Sequence, residues 1–474
     1  MKISRRALLR ASAGGAIAAN YAFAARAKTS DKPNFIFIMA DDLGYADVSC
    51  YGRRDYTTRN IDKLAAQGLR FVQGYANSPV CSATRTALIT GRYQYRLPVG
   101  LEEPLGRNPG GLPPEHPTLP SLLKKQGYSS TLIGKWHLGA LPDYGPLQSG
   151  YDRFFGLRGA GVDYFSHTYN NQHDLWDQNV PVHRTGYVTD LLGDRAVEEI
   201  ATYARSKQPF LISLHFTAPH WPWEGPNDQA ESERLKTVKG GLQAHDAGTQ
   251  KTYAEMVLRM DMQIGRLLDA LDKHRLANNT LVVFTSDNGG ERFSDTWPFT
   301  GKKTELLEGG LRIPAIVRWP ARVRRGVTHD QVMMSMDWMP TFLDAAGGAA
   351  DVDHPFDGVS LLDALARNAP PMPRTLFWRY KSHSQEAVRD GDWKYLKIRD
   401  NTFLFNVVDD PLERANWKER DPQRYQEIVA KYHAWNATML PLDPKSATYG
   451  YPAADMADHY GGATSPPSGA APRD

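Results

Sequence analysis

Several features are absent from this 474-residue chain, and their absence excludes some classes of protein. It has only two cysteines, Cys50 and Cys81, so one disulfide at most can form and a hydrophobic core must hold the fold together. It has no run of about eighteen apolar residues, no His/Cys cluster at zinc spacing, no repeat of fixed period and no basic run. These absences predict a globular protein without a membrane span, a zinc site or a nucleic-acid partner.

The first 27 residues differ in composition from the rest of the chain. They contain the twin arginine Arg5-Arg6, an alanine-rich stretch and the ending Ala25-Arg26-Ala27, which together are typical of a twin-arginine export signal. This segment holds five basic residues and no acidic one, so the formal charge changes from +3 for the whole chain to −2 without it. We predict a signal peptide at 1–27, with cleavage after Ala24 as the alternative, export by the twin-arginine machinery, and a periplasmic or secreted protein.

Four short apolar runs each end in polar residues. The runs are 35–39 before Asp41 and Asp42, 130–133 before Lys135 and His137, 210–216 before His220, and 281–284 before Asp287 and Asn288. Continuous apolar runs are typical of strands covered on both faces, as in a parallel α/β sheet. Helical patterns lie at 58–68, with Thr58 as the cap, and at 250–275. We predict a doubly wound, mostly parallel sheet whose polar strand ends meet at one edge.

The pattern changes near residue 368. The proline-rich segment 368–373 is typical of a connector, and 386–398 predicts a hairpin around Asp390-Gly391. A further helix is predicted at 420–436. We therefore expect a catalytic domain at 28–367, a smaller C-terminal antiparallel α+β domain at 374–452, and a flexible tail at 453–474.

Two pairs of oxygen-bearing side chains end two of the predicted strands. The adjacent carboxylates of Asp41 and Asp42 repel each other unless a positive charge lies between them. Asp287 and Asn288 add further oxygens from another strand end. Either pair alone is common in turns, but two pairs at equivalent strand ends favour calcium or magnesium.

Lys135, His137 and His220 follow the two other strands. Each alone is more often a structural or surface residue. Three such groups facing a divalent ion form an anion site, which favours an oxyanion ester as the ligand. Histidines also transfer protons near neutral pH.

Six motifs occur in order between about residues 33 and 410: 39–44 (MADDLG), 81–92 (CSATRTALITGR), 134–139 (GKWHLG), 218–220 (APH), 286–289 (SDNG) and 308–314 (EGGLRIP). Together they resemble the motifs of the type I, formylglycine-dependent sulfatases, in that family's order. The resemblance implies the alkaline phosphatase-like α/β fold and the hydrolysis of sulfate monoesters. Such enzymes hold a calcium ion, with magnesium as the alternative, on residues that correspond here to Asp41, Asp42, Cys81, Asp287 and Asn288.

The resemblance also assigns roles to single residues. Cys81 would be oxidised to formylglycine, whose hydrate supplies the nucleophilic hydroxyl. Arg85 and Lys135 would hold this diol, and His137 would accept a proton from its second hydroxyl. His220 and a lysine would bind the sulfate and protonate the leaving oxygen. The family's spacing back from Glu308 gives Lys303, with Lys302 as the alternative, while Glu308 and Arg312 are expected to brace the loop.

One position departs from the commonest form of the family's signature. Ala83 stands where proline is most frequent. Alanine occurs there chiefly with bacterial maturation systems, so the cytoplasmic formylglycine-generating partner of this chain stays open.

The motifs do not determine which sulfate ester is the substrate. A sulfated carbohydrate is expected, with aryl sulfates as reference substrates. Its pocket walls are expected in segments 100–115, 160–185 and 220–245. Candidate sugar or aryl contacts there are Asp163, Tyr164, His167, His173, Trp176, Trp221 and Trp223. The alternatives are a phosphodiesterase or phosphonate monoester hydrolase on the same fold, or a non-catalytic protein that binds sulfated glycans.

Overall fold

The structure is a computed structural model that describes residues 32–101, 110–169, 172–238, 248–446 and 448–450. The predicted signal peptide at 1–27 and the predicted tail at 453–474 lie outside these residues. Among the described helices, none combines the length and apolar character needed to cross a bilayer.

The strands of the described chain form one large sheet and three smaller ones. Their bounds are β1 Asn34–Ala40, β2 Leu69–Phe71, β3 Gly74–Tyr75, β4 Ser129–Lys135, β5 Arg153–Leu157, β6 Thr168–Tyr169, β7 Gln172–His173, β8 Trp176–Asp177, β9 Val180–Pro181, β10 Phe210–His215, β11 Thr280–Ser286, β12 Ala315–Arg318, β13 Val327–His329, β14 Met333–Met334, β15 Thr375–Tyr380, β16 Gln385–Asp390, β17 Trp393–Ile398 and β18 Asn401–Asn406.

Helices lie between these strands. The α-helices are α1 Arg59–Ala66, α2 Cys81–Thr90, α3 Leu119–Lys125, α4 Val188–Ser206, α5 Gln229–Leu235, α6 Gln250–Lys273, α7 Glu308–Leu311, α8 Trp338–Ala345, α9 Leu362–Arg367 and α10 Pro422–Asn436. Short 3-10 turns lie at Ser49–Tyr51, Gln94–Arg96, Pro98–Gly100, Ala277–Asn279, Ser335–Asp337 and Ser382–Ser384.

The large sheet has the strand order β13-β2-β12-β11-β1-β10-β4-β5-β8-β9. Its five central strands, β11, β1, β10, β4 and β5, are all parallel. Antiparallel pairings occur towards both edges, at β11-β12, β12-β2, β5-β8 and β8-β9. All four apolar runs are among the central strands, which confirms the predicted mostly parallel sheet.

Alternating side chains of β1 enter two different cores. Ile36 and Ile38 pack on one face with residues of α1, α4 and α6. Phe35 and Phe37 pack on the other face with residues of α2, α3 and α8. Because both faces are covered, every residue of β1 is buried and the strand carries a continuous apolar run. The fold is doubly wound, as predicted.

The two predicted helices in this region differ in how they begin. Thr249 caps α6, because its side chain accepts a hydrogen bond from the Thr252 amide at 3.0 Å. Thr58 precedes α1 but makes no such bond. Its hydroxyl oxygen instead accepts a hydrogen bond from the Ser49 amide at 3.0 Å.

A separate antiparallel sheet, β15-β16-β17-β18, forms the C-terminal part. Asp390 pairs with Trp393, so the hairpin loop is Gly391-Asp392, and Gly391 has a φ of 59° that favours glycine. The buried face of this sheet packs against α2 and α10 in a shared core, in which Ala83 and Ala87 accompany the C-terminal residues. The C-terminal sheet therefore supports the helix that begins at Cys81.

Candidate active site

The register of the central strands brings four polar segments to one edge. Ala40 at the end of β1 pairs with Ser286 at the end of β11. Met39 pairs with His215 of β10, and His215 pairs with Gly134 of β4. The residues that follow these strand ends therefore share one space, as expected for a parallel sheet.

Asp41 and Asp42 lie at the centre of this space and are almost fully buried. Asp41 Oδ2 accepts a hydrogen bond from Lys135 Nζ at 2.6 Å, and Asp42 Oδ2 accepts one from Lys303 Nζ at 2.7 Å. Burial, followed by the charge of Asp287, raises the pKa of Asp41 well above its usual value. Asp42 has a φ of 61°, which turns the chain sharply after β1.

Asp287 and Asn288 approach these carboxylates from the end of β11. Asp287 accepts hydrogen bonds from the Asp42 amide at 3.1 Å and from Arg85 Nη2 at 2.8 Å. Burial opposes its ionisation, but the charges of Arg85 and Lys135 hold the pKa of Asp287 well below its usual range. Asn288 Nδ2 donates to Asp42 Oδ1 at 2.7 Å.

Cys81 is the first residue of α2, where it faces the aspartates. Its Sγ atom lies 3.4 Å from Asp41 Oδ1 and 3.9 Å from Asp42 Oδ1. Burial raises the pKa of the thiol well above its usual value. Arg85 follows one helical turn later on the same face, so α2 presents both residues to the site.

Lys135 and His137 come from the end of β4. The Lys135 side chain is fully buried, and the charge of Asp41 outweighs the effect of burial and raises its pKa. His137 has a φ of 56° and its Nδ1 atom has no hydrogen-bond partner among the described residues. Burial, then the charges of Lys135 and Arg85, lower the pKa of His137 well below its usual value, so the ring is neutral.

His220 and Lys303 line the Asp42 side of the cluster. His220 Nε2 lies 3.5 Å from Asp42 Oδ2, and His220 Nδ1 donates to the Trp221 carbonyl at 2.6 Å. Of the two candidate lysines, Lys303 has the ammonium group that contacts Asp42. The Lys302 backbone instead donates to Glu305 Oε2 at 2.9 Å.

The donor set fits a hard divalent cation. Ligand atoms of Asp41, Asp42, Cys81 and His220 lie within 4.8 Å of one another. Asn288 Oδ1 is buried and accepts no hydrogen bond from the described residues, as suits an oxygen that faces a cation. A divalent ion would also offset the burial and the repulsion by Asp287 that together raise the pKa of Asp41. Asp287 lies beside this group rather than within it, since Arg85 and the Asp42 amide contact its carboxylate.

Glu308 and Arg312 brace the loop that carries Lys303. Arg312 Nε and the Tyr75 hydroxyl donate to Glu308 Oε2, at 2.6 and 2.7 Å. Lys394 of β17 donates to Glu308 Oε1 at 3.0 Å and also pairs with Glu413 at 2.9 Å. The motifs indicate neither Lys394 nor Glu413, because both lie in a part of the chain without a catalytic signature.

Most of the proposed sugar contacts on segment 160–185 are structural. Asp163 Oδ1 accepts hydrogen bonds from the backbone of Phe165 and Ser166, and the Tyr164 hydroxyl donates to the His220 carbonyl at 2.9 Å. The remaining candidates are buried or half-buried in this loop region: His167, His173, Trp176, Trp221 and Trp223. Residues 102–109, 170–171 and 239–245 of the predicted walls lie outside the described chain.

Tyr449 and Glu291 reach the site without any signal in the sequence. The Tyr449 ring centroid lies 5.4 Å from Lys303 Nζ, and its hydroxyl donates to Glu291 Oε1 at 3.2 Å. The Tyr380 hydroxyl donates to the Tyr449 carbonyl and so holds this segment against β15. Only tertiary contacts bring a residue so far along the chain to this edge.

Comparison with known proteins places this arrangement in a family. The sulfatase family model matches residues 33–349, and the model of the N-sulphoglucosamine sulphohydrolase C-terminal region matches 299–438. The chain belongs to the sulfatase family. This sulfatase is 32% identical to N-acetylgalactosamine-6-sulfatase of Canis lupus familiaris, over 76% of this chain and 71% of the relative. It is 29% identical to arylsulfatase J of Mus musculus, over 88% of this chain and 79% of the relative.

A solved structure extends the match to three dimensions. Ps i-CgsB, crystallised with k-i-k-neocarrahexaose, is 31% identical to this sulfatase and superposes with a TM-score of 0.77. The superposition covers 85% of this chain and 93% of the solved one. The fold is therefore the alkaline phosphatase-like α/β fold, and the protein is a sulfuric ester hydrolase.

Proposed function

We propose that this sulfatase hydrolyses a carbohydrate sulfate ester with residue 81 as the nucleophile, after oxidation of Cys81 to formylglycine. The observation that carries the proposal is the position of Cys81 Sγ, 3.4 Å from Asp41 Oδ1 at the head of α2. A thiol that burial keeps protonated is a poor nucleophile. The sulfur atom therefore marks the position that an oxygen of formylglycine would take.

Asp41, Asp42 and Asn288, together with residue 81, are proposed to hold calcium, with magnesium as the alternative, and Asp287 would join them by turning its carboxylate from the Asp42 amide towards the ion. When bound, the ion would act as a Lewis acid on a hydroxyl of residue 81 and on a sulfate oxygen. The buried, unpartnered Asn288 Oδ1 supports this assignment.

The proposed reaction has two halves. One hydroxyl of the hydrated formylglycine gives its proton to the neighbouring Asp41 carboxylate and attacks sulfur, the ester O–S bond breaks, and Lys303 protonates the leaving oxygen while His220 binds the sulfate. His137 then accepts the proton of the second hydroxyl, the bond between residue 81 and sulfate breaks, and the aldehyde re-forms. The neutral state of His137 suits a proton acceptor.

Arg85 and Lys135 are proposed to stabilise the charge that develops on residue 81. Both cations are buried, and their charges act strongly because little water screens them. Lys303 is proposed to bind the sulfate. Its pKa is raised, despite its burial, mainly by Asp42, so it stays protonated and can donate.

The side chains beside Lys303 support a carbohydrate as the substrate. Tyr449 offers an aromatic face and Glu291 a carboxylate that can accept hydrogen bonds from sugar hydroxyls. The named activity of N-acetylgalactosamine-6-sulfatase and the oligosaccharide crystallised with Ps i-CgsB point the same way. We further propose that a cytoplasmic enzyme oxidises Cys81 before twin-arginine export to the periplasm or beyond.

Peptide mass spectrometry across residue 81, on protein from its native host, tests the nucleophile. We expect a mass loss that matches conversion of the thiol to the aldehyde. Cys81→Ala should lower kcat by about a thousandfold or more without a change in the unfolding temperature. Cys50→Ala, which changes the only other cysteine, is the matched control and should keep wild-type activity. An active enzyme with an unmodified Cys81 would disprove the proposal.

A further inference from the structure

A cavity lies behind the catalytic cluster, between the sheet and α2. The volume open to water in it is about 20 Å³, which is enough for one water molecule, and all of its lining residues are buried. They include Arg85, Tyr151, Ser213 and His215. Apolar side chains form most of the wall, so the few polar groups in it need an explanation.

Two polar atoms of these lining residues have no hydrogen-bond partner in the described chain. They are Arg85 Nε and His215 Nε2, on side chains that are only 2% and 7% exposed. The other polar pair of the wall is already satisfied, since Tyr151 and Ser213 form a hydrogen bond of 2.8 Å. A buried donor or acceptor without a partner destabilises the fold, so a partner is expected.

The other nitrogen of His215 contacts the catalytic machinery. His215 Nδ1 lies 3.3 Å from the Lys135 carbonyl oxygen, which also accepts a hydrogen bond from Arg85 Nη1 at 3.1 Å. A carbonyl can only accept, so Nδ1 carries the proton. Burial, then the charge of Arg85, lowers the pKa of His215 to about 3, and the ring is neutral. His215 Nε2 is therefore an acceptor.

The two atoms without partners are complementary. Arg85 Nε–H is a donor and His215 Nε2 is an acceptor, and both residues line one cavity. A water molecule can accept from the first and donate to the second. A leucine at the end of β10 would fill the space without polar cost, so the histidine is not explained by packing alone.

We propose that the cavity holds a buried water that bridges Arg85 Nε and His215 Nε2, and that His215 is a positioning residue for Arg85 and Lys135. This inference rests on the proposed roles of Arg85 and Lys135 in the reaction. His215 is linked to Arg85 twice: its Nε2 atom through the water to Arg85 Nε, and its Nδ1 atom through the Lys135 carbonyl to Arg85 Nη1. Nη1 donates to the Lys135 carbonyl and Nη2 to Asp287, so each nitrogen of the Arg85 guanidinium group then has a partner.

The first test is a crystal structure of the wild-type protein at a resolution that shows ordered water. We expect density within hydrogen-bond distance of both Arg85 Nε and His215 Nε2. An empty cavity, or a water that contacts only one of the two atoms, would overturn the bridge. This measurement does not depend on activity, so it separates the inference from the proposed function.

The second test compares His215→Leu with His215→Gln, which keeps a donor and an acceptor. We expect His215→Leu to lower kcat by about tenfold or more with KM within about twofold. The reason is that a misplaced Arg85 weakens stabilisation of the charge that develops on residue 81, not substrate binding. His215→Gln should recover most of the loss. Equal kcat values for His215→Leu and the wild type, or a glutamine variant as slow as the leucine variant, would contradict the positioning role.

His329→Leu is the matched control for this series. His329 is another buried histidine of the same sheet, on β13, and its Nε2 atom pairs with the Ala369 carbonyl at 2.9 Å. Its loss should lower the unfolding temperature but leave kcat of the folded enzyme within about twofold. The fraction of Cys81 that is oxidised must be equal in all variants, as measured by peptide mass.

Discussion

At the scale of single residues, two histidines face the same cluster from different strand ends. His220 is fixed on both sides, because Nδ1 donates to the Trp221 carbonyl and Tyr164 holds its backbone carbonyl. His137 is held by its backbone, whose amide donates to the Arg158 carbonyl at 3.1 Å, while its ring Nδ1 has no partner within the part of the chain that the structure describes. This difference suits His137 to proton transfer and His220 to binding.

His137→Ala should trap sulfate on residue 81. Without the proton acceptor, the second half of the reaction stops after the ester bond has broken. Intact-mass analysis after substrate addition should show the mass of one bound sulfate group. Cys81→Ala treated in the same way should show none. An unmodified mass for His137→Ala, in a variant that still releases the first product, would argue against the assigned role.

At the scale of elements, β17 connects the C-terminal sheet to the loop that carries Lys303. Lys394 on this strand lies between the buried carboxylates of Glu308 and Glu413, and the Glu308 amide donates to Glu413. Burial, then the charge of Glu308, raises the pKa of Glu413 to about 7, despite the opposing charge of Lys394. The pKa of Glu308 is held well below its usual range because Lys394 and Arg312 outweigh its burial.

The raised pKa of Glu413 predicts that the free energy of unfolding decreases between pH 5 and pH 8. A carboxyl group with a raised folded-state pKa binds its proton more tightly when folded, so the free energy of unfolding falls as pH rises towards 7. Glu413→Gln cannot ionise, and its unfolding temperature should fall less over this range. The difference in free energy should be at most about 3 kcal/mol.

Thermal unfolding of both proteins at pH 5 and pH 8 measures this effect. Glu419→Gln is the control, because the Glu419 side chain is 89% exposed and its removal should leave the pH dependence unchanged. Parallel pH profiles of Glu413→Gln and the wild type would show that Glu413 has an ordinary pKa.

At the scale of the whole molecule, one site is assembled from both ends of the described chain. β1 supplies the aspartates, and the segment around Tyr449 returns past β15 to the same edge of the large sheet. The shared core of α2 and the C-terminal sheet joins the two parts. The C-terminal part therefore both supports the helix that begins at Cys81 and places an aromatic ring beside Lys303.

Tyr449→Ala should separate carbohydrate from aryl substrates. Loss of the aromatic face should raise KM for a sulfated oligosaccharide by about tenfold, because stacking on the sugar is lost. KM for an aryl sulfate, which does not reach a sugar contact, should change by less than about threefold. Tyr425→Ala, which changes a half-buried tyrosine of α10, is the control. An equal change in KM for both substrates would show that Tyr449 does not contact the sugar.

Much of the fold and of the candidate site can be read from local patterns. The four strand ends are visible because a strand buried on both faces needs an apolar run, and the polar residues after it break that run. The cluster of Asp41, Cys81, Lys135 and Asp287 follows from these ends and from the family's motifs. Lys303 rather than Lys302 follows from spacing, and its ammonium group does contact Asp42.

Tertiary structure alone decided which other residues join them. Tyr449, Lys394 and His215 carry no local signal, because their roles depend on contacts across long stretches of sequence. Asp163 and Tyr164 show the opposite case. The sequence predicts them as substrate contacts, but in the structure they form hydrogen bonds to the Phe165 amide and to the His220 carbonyl. Periodicity reports how a side chain is buried, whereas its partners are set by strand order and packing. The chemistry of this protein was thus determined by its sequence, and the surroundings that tune this chemistry were determined by its fold.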